Sequence, residues 1–521
     1  MNKRKFPVDT QTFSKVRSFY NVYVDKTQHI YDLITNFGVV FLSRPRRFGK
    51  SLLCSTIKSV FQGQKELFEG LAIAKTDWDW QEHPVIHLDM IAKDLSPQTG
   101  IRAFINSINK QLDNVCDYYD IKIEPSDMIA GRFSEIISAL AKELNKVVVI
   151  IDEYDHSLLE TIDNIELQNE LKARLKSFYG ILKSEDQHLR FVFITGITKF
   201  SQISLFSGMN QPKDITTMSD FCDICGITQK ELEDTFAPEI ERFAEKWGGK
   251  ENYLKRLKDY YDGYNFTRDK TSIYNPYGLL NHFVDGGLFL PYWSYSGAPS
   301  FILKYLNMKN IDAIEIENAY MTANRFVDYK DDTISLYPLL YQAGYITIKD
   351  YNEEDNCYTL DYPNVEIRKT FAEFLAGNYS SSNADKNITV ANQFIKALND
   401  GDMQTFMDTL RWYLHNVDYS LSSKITEYYF EFAVSNIINM LGFVCKNEVH
   451  TATGRIDSVI FTQKRIYLFE FKVDKPVESA IKQIKRKDYT LLYANDNREI
   501  VKVGVVFSRE DKNIIEWAIE K

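Results

Sequence analysis

The stretch Ser43-Arg44-Pro45-Arg46-Arg47-Phe48-Gly49-Lys50-Ser51 constrains this chain more than any other. The apolar run Gly38-Val39-Val40-Phe41-Leu42 precedes it, and Leu52-Leu53-Cys54-Ser55-Thr56-Ile57 follows with the pattern of a helix start. A strand, a short loop ending Gly-Lys-Ser and a helix are the layout of a phosphate-binding P-loop. In such a loop, backbone N–H groups and the helix N-terminus cradle phosphate oxygens. Arg46, Arg47, Phe48, Gly49, Lys50, Ser51 and Leu52 are therefore the candidate nucleotide-binding residues. Gly49 allows close backbone approach, Lys50 brings charge to the β- and γ-phosphates, and Ser51 is the expected Mg²⁺ ligand. The usual pattern has a glycine where this chain has Arg44.

A nucleotide site of this kind needs acidic residues on a neighbouring strand. Lys146-Val147-Val148-Val149-Ile150-Ile151 is apolar on both faces, as a central parallel strand is. It delivers Asp152 and Glu153 at its carboxyl end. Asp152 is expected to hold the Mg²⁺ water shell, and Glu153 to orient or deprotonate the attacking water. A further strand, Phe191-Val192-Phe193-Ile194-Thr195-Gly196, offers Thr195 and Lys199 as sensors of the γ-phosphate. The strand-like runs at 38–42, 84–88, 147–151 and 191–195 alternate with helical segments. Residues 1–230 thus read as an α/β, mostly parallel P-loop NTPase domain binding ATP and Mg²⁺.

The chain has 521 residues, enough for several domains. Residues 231–376 read as a helical, aromatic-rich and winged-helix-like middle region, with β structure over 335–362 and a hairpin of Tyr345–Lys349 and Cys357–Leu360. Residues 377–419 read as a polar linker and connecting helices, and 420–521 as a second α/β domain with strands near 443–449, 455–461, 466–473 and 501–507. The net charge of −10 argues against a general nucleic-acid binder, yet residues 420–521 carry 16 Lys and Arg against 14 Asp and Glu. No apolar run approaches a membrane span, and no apolar stretch follows the basic N-terminus, so no membrane association and a cytoplasmic location are expected. Six cysteines without framework spacing fit reduced thiols, and Cys222-Asp223-Ile224-Cys225 lacks further zinc ligands nearby. His83 and His87 read as structural histidines, and Lys482–Lys487 as a solvated helix face.

The run from Gly454 to Val473 places two β-rich stretches around Gln463-Lys464. If those two residues form a hairpin loop, Asp457 stands opposite Glu470, and opposed side chains share a face. Lys472 shares that face by the period of two. Two carboxylates and a lysine on strand ends suit Mg²⁺-assisted cleavage of a phosphodiester. Leu468-Phe469-Glu470-Phe471 is strongly apolar, and a carboxylate in such a run needs a partner.

Several phrases carry a family resemblance. Arg44–Ser51, Ile151-Asp152-Glu153-Tyr154-Asp155, Thr195–Ser201, Leu205–Gly208, Asp214-Ile215-Thr216, Tyr23–Thr27, Tyr261–Tyr264 and Tyr274-Asn275-Pro276 resemble the bacterial AAA-ATPase-like family over roughly residues 1–300. That family carries arginine where Arg44 stands, but usually Lys-Pro where this chain has His156-Ser157. The pattern Asp457, Glu470-x-Lys472 and a helix bearing Gln483 resembles the PD-(D/E)XK nuclease superfamily over 420–521, a restriction-endonuclease-like fold. Glu427 matches a frequent acidic position of its first helix, and Glu431 stands where histidine is common. The resemblance implies ATP binding, metal at Asp457 and Glu470, Gln483 in the catalytic set, and nucleic acid as partner, DNA in preference to RNA. It leaves room for a homo-oligomer and for a role in defence or mobile-element biology. The rival expectation is a nucleotide-switched regulatory protein whose last domain binds nucleic acid without cutting it.

Overall fold

The computed structural model describes residues 4–20, 22–92, 95–96, 98–199, 205–206, 211–268, 271–295, 301–302, 304–305, 319–322, 336–371, 393–394, 396–415, 434, 444–451, 454–462, 464–494, 496 and 498–520. The chain divides into two compact units: residues 1–311 with 315–364, and residues 312–314 with 365–521.

The first unit is built on a five-stranded sheet. Its strands are β1 (Val39–Ser43), β2 (Val85–Asp89), β3 (Val147–Asp152), β4 (Leu189–Gly196) and β5 (Lys213–Asp214), in the order β2-β3-β4-β1-β5. Every neighbouring pair is parallel. All six residues of β3 are buried, which is why its sequence shows no polar alternation. Helices cover the sheet through apolar stripes at helical spacing: Phe104, Ile108 and Leu112 in Gly100–Tyr119, and Leu171, Leu175, Phe178 and Leu182 in Ile165–Ser184. Helix α1 (Lys50–Phe61) leaves β1 through the glycine-lysine loop. Because the strands run parallel, the carboxyl ends of β1, β3 and β4 meet at one edge of the sheet. β4 lies between β1 and β3, so Thr195 is flanked by the phosphate loop and the acidic strand end.

The rest of this unit is largely helical. Helices Gln229–Thr235, Ala237–Ala244, Lys250–Tyr261 and Pro276–Val284 share an aromatic core that includes Phe6, Phe236, Tyr253, Tyr261 and Phe283. The first of them opens with a capping box between Thr228 and Glu231. Two small sheets accompany them: β6 (Ile227–Thr228), β7 (Tyr264–Asn265) and β8 (Ser272–Tyr274) in the order β6-β8-β7, and β9 (Ala319–Thr322), β10 (Thr347–Asn352) and β11 (Cys357–Asp361) in the order β10-β11-β9. The antiparallel pair β10–β11 is the expected hairpin, with a bulge between Ile348 and Asp350. The expectation of β structure throughout 335–362 is corrected at its start, because Leu336–Ala343 is a helix. Pro338 lies in its first turn, where proline removes no needed N–H, and residues 338–343 are all buried, so no periodicity marked it.

The second unit carries a mixed five-stranded sheet: β12 (Val444–Thr451), β13 (Gly454–Phe461), β14 (Arg465–Val473), β15 (Glu499–Ser508) and β16 (Asn513–Glu520), in sequence order. β14 and β15 are parallel, and the other neighbours are antiparallel. Helix α2 (Val477–Arg486) makes the crossover between β14 and β15. The two faces of β14 belong to different clusters. Phe469, Phe471 and Val473 pack in a core that includes Phe406 and Leu410 of helix Met403–His415. Ile466 and Leu468 pack with Ile484 of α2 and with Tyr489. β16 has no counterpart in the sequence reading; its Ile514, Trp517 and Ala518 are spaced like a helix face, yet it pairs with β15 as an edge strand. The polar stretch 377–386, Glu427, Glu431 and Leu441-Gly442-Phe443 lie outside the described residues.

Candidate functional sites

The phosphate loop is held from several directions. Gly49 caps α1 at φ +94°, a conformation that favours glycine, and Arg47 also has positive φ, +66°. Phe48 is buried and meets the rings of Tyr264 and Phe266 edge-on, with centroids 4.8 and 5.5 Å away. Arg47 is exposed, with its guanidinium 4.8 Å from the Tyr277 ring centroid. Arg46 lies 3.9 Å from Glu160, and its carbonyl accepts from the Trp293 indole N–H at 3.3 Å. Lys50 is buried; its Nζ donates to the carbonyls of Arg44 at 3.1 Å and Pro45 at 3.2 Å and lies 3.3 Å from Glu153 Oε1.

Arg44 explains the missing glycine. Its side chain is 1% exposed and turned away from the loop, donating to the carbonyls of Ser43, Thr216, Phe221 and Cys222 at 2.8–3.2 Å. Its guanidinium lies 4.2 Å from the Phe266 ring centroid, and burial pulls its pKa down. Arg44 therefore ties the start of the phosphate loop to the segment after β5.

Asp152 and Ser51 come together: burial and the neighbouring Glu153 push the Asp152 carboxyl up to about 6, while a hydrogen bond from the Ser51 hydroxyl and the charge of Lys50 act the other way. Both are hard oxygen donors beside the cationic loop, a set that fits Mg²⁺ with a nucleotide phosphate. Glu153 stands at φ +53°, and among the described residues its buried Oε2 has no hydrogen-bond partner. The next two residues act as a strut. Tyr154 donates its hydroxyl to the Thr198 carbonyl at 3.0 Å. The buried Asp155 carboxylate accepts from the N–H groups of Ile197 and Thr198 and from the Thr198 hydroxyl, at 3.2, 2.7 and 2.6 Å. The end of β3 is thus locked to the end of β4.

Thr195 and Lys199 are both committed within the fold. The Thr195 hydroxyl donates to the Leu42 carbonyl at 2.8 Å, and Lys199 pairs with Asp214 at 2.5 Å. Leu52, in contrast, lines a cavity of about 100 Å³ that opens beside Gly49. Tyr23, Val24, Ile224 and Pro276 also wall it. Tyr23, Val24 and Pro276 fall in phrases that resemble the AAA-ATPase-like family, but these side chains, like Ile224, carry no chemistry in the sequence that marks them as ligand contacts.

In the second unit the hairpin register is Ser458↔Phe469, Val459↔Leu468, Ile460↔Tyr467 and Phe461↔Ile466. Continued one pair, it sets Asp457 across from Glu470. The Asp457 Oδ2 accepts from the Phe471 N–H at 2.8 Å. Glu470 is fully buried; Lys472 Nζ donates to its Oε1 at 2.8 Å and to the Phe471 carbonyl at 2.8 Å. Burial and the nearby Asp457 push the Glu470 carboxyl up to about 7, against the pull of Lys472. Among the described residues its buried Oε2 has no hydrogen-bond partner. Two carboxylates crowded in this way, one with an orphaned oxygen, fit a divalent cation bound by oxygen. Gln483 on α2 hydrogen-bonds the Tyr489 hydroxyl, which also donates to the Arg455 carbonyl. Asp457 and Glu470 both raise the Tyr489 pKa, so the Gln483–Tyr489 pair borders the carboxylates.

Comparisons with known proteins follow this division. The family model described as "Predicted AAA-ATPase" matches residues 7–206, and that of the PD-(D/E)XK nuclease superfamily matches residues 425–517. An "Uncharacterized protein in vnfD 5'region" of Azotobacter chroococcum mcd 1 is 31% identical over all of this chain and 99% of its own length. Among the described residues no helix is long and apolar enough to cross a membrane. The chain belongs to the AAA-ATPase-like family and carries a PD-(D/E)XK nuclease superfamily domain at its carboxy-terminal end.

Proposed function

We propose that the chain binds and hydrolyses ATP in its first unit and cuts phosphodiester bonds of nucleic acid, DNA in preference to RNA, in its second. The observation that carries the reading is the convergence of Asp457, Glu470 and Lys472 at one point of the β13–β14 hairpin, with the Glu470 Oε2 left without a donor among the described residues. Mg²⁺ held by Ser51 and Asp152 in one site, and by Asp457 and Glu470 in the other, would supply charge neutralisation and an acidified water. In the first unit Lys50 gives charge to the phosphates, Gly49 admits the backbone close to them, and the cavity beside Leu52 takes the base. Glu153 orients and accepts the proton of the attacking water. In the second unit Lys472 offsets charge on the phosphodiester oxygens, and Gln483 positions Tyr489 at the rim.

Purified full-length chain is incubated with supercoiled plasmid, linear DNA and RNA, with Mg²⁺ or Mn²⁺, with and without ATP. Cleavage that disappears in Asp457→Ala and Lys472→Ala supports the reading. Intact nucleic acid under every condition overturns the nuclease half. ATP-dependent DNA retention without cutting would then identify a nucleotide-switched nucleic-acid-binding protein. Phosphate release lost in Lys50→Ala tests the ATPase half separately.

A further inference from the structure

Beneath the phosphate loop, three side chains from three elements converge. Cys54 lies on α1, His87 on β2 and Asp152 at the end of β3, and one donor atom from each lies within 4.8 Å of the other two. The sequence itself dictates this placement. His87 pairs with Ile150, so Asp152, two residues on, points to the same face of the sheet. Cys54 follows Ser51 by one helical turn, and Ser51 already hydrogen-bonds Asp152. Cys54 is fully buried, Asp152 is 4% exposed and His87 is half-buried. Nearby His83 is spent on the Lys146 carbonyl at 2.8 Å, whereas among the described residues neither ring nitrogen of His87 has a hydrogen-bond partner. ATP hydrolysis as proposed above uses neither Cys54 nor His87.

We propose that Cys54, His87 and Asp152 form a site for a thiophilic divalent cation of the Zn²⁺ type, and that its occupation excludes the Mg²⁺-nucleotide because both need Asp152. A thiolate, an imidazole and a carboxylate make a zinc donor set, with the fourth position left to water. Mg²⁺ prefers oxygen and would not select a sulfur ligand, so the cluster discriminates against the ion used by the nucleotide. Ligand bonds of about 2.0–2.3 Å require the three donors to close further, which rotation of the Cys54 and His87 side chains can supply. Binding releases the thiol proton to solvent. Linkage makes the exclusion reciprocal: the nucleotide weakens Zn²⁺ as much as Zn²⁺ weakens the nucleotide.

The test uses nucleotide-free, full-length protein titrated with Co²⁺ as a spectroscopic probe, and with Zn²⁺ in competition with a chromogenic chelator. The expected result is one equivalent of Co²⁺ with a near-ultraviolet thiolate charge-transfer band that Zn²⁺ displaces. Cys54→Ser removes the band, His87→Ala weakens Zn²⁺ at least about 10-fold, and Mg²⁺-ADP raises the apparent Zn²⁺ dissociation constant. A wild-type protein without the band overturns the proposal. So does a band of equal strength in Cys54→Ser, which would move the metal to the Cys222–Cys225 pair. If Cys54→Ser loses native circular dichroism, His87→Ala decides: unchanged Zn²⁺ affinity overturns the site.

Discussion

Lys50 Nζ lies 3.3 Å from Glu153 Oε1, so the cation of the phosphate loop and the acid at the end of β3 are paired. Phosphates entering the loop compete with Glu153 for Lys50, and success frees the carboxylate for water. Glu153→Gln weakens the pair while removing the base. Nucleotide binding, followed with a fluorescent analogue, is expected to hold or tighten, while phosphate release falls about 100-fold or more. Turnover within twofold of wild type would remove Glu153 from the base role.

Arg44 makes a different demand. Restoring the usual loop residue in Arg44→Gly removes a guanidinium shared by four carbonyls and leaves a void beside Phe266. Arg44 is bonded to uncharged carbonyls, so its loss strands acceptors rather than a charge. A stability loss of about 3 kcal/mol is expected from urea unfolding, with Arg44→Lys intermediate because it offers fewer donors in a different geometry. A glycine variant as stable as wild type would show that the clamp contributes nothing.

Gly196 tests the strut between β3 and β4. A Cβ there would come 2.4 Å from Asp155 Oδ1 and 2.5 Å from Tyr154 Cδ1, both fixed in the interior. Gly196→Ala should destabilise the first unit by about 1–3 kcal/mol. The shift of Asp155 also disturbs the Glu153 turn, so kcat should fall more than nucleotide affinity. Equal losses in both would argue against the strut as the link.

The legible parts of this molecule are those in which one residue type does one chemical job. Gly49-Lys50-Ser51, the apolar run into Asp152-Glu153, and the alternation around Glu470 and Lys472 each announce a local geometry. The hairpin register followed from taking Gln463-Lys464 as a two-residue loop, which fixes the residue opposite each strand position. Tertiary partners were not legible. Arg44 looks like a lost glycine until its four carbonyl acceptors are seen, three of them more than 170 residues away. Thr195 and Lys199 read as sensors of the γ-phosphate, and nothing in the sequence showed the Leu42 carbonyl and Asp214 to which they are bonded. His87 had no neighbour in sequence to suggest a ligand set, since Cys54 and Asp152 reach it only through the stacking of α1 on β2 and β3.

In the second unit, Glu470 is fully buried and keeps Lys472 as its cation. At about pH 9, where the Glu470 carboxyl is ionised in the wild type, Lys472→Met strands it in an apolar wall, a change expected to cost about 3–5 kcal/mol. Adding Glu470→Gln removes the stranded charge, so the double variant should recover much of the stability and none of the cleavage. Denaturant midpoints of the single and double variants give the comparison. A Lys472→Met protein as stable as wild type would mean that the pair is solvated in solution.

His282 supplies a pH dependence that owes nothing to either site. It is fully buried, with Nδ1 bonded to the Leu288 carbonyl at 2.8 Å and Nε2 to the Tyr253 hydroxyl at 2.7 Å, an arrangement that suits the neutral ring. Burial pulls its pKa from 6.5 down to about 4. The unfolded chain therefore binds a proton below pH 6.5 that the folded chain refuses until about pH 4. The stability it protects is complete above pH 6.5 and is lost progressively as pH falls towards 4. The shift corresponds to about 3 kcal/mol over that window. His282→Gln keeps hydrogen-bonding groups near Leu288 and Tyr253 but cannot take up the proton. It should be less stable than wild type at pH 7, with the difference shrinking by about 2–3 kcal/mol at pH 4.5 in urea unfolding. A difference that stays constant with pH would show that His282 does not carry this titration.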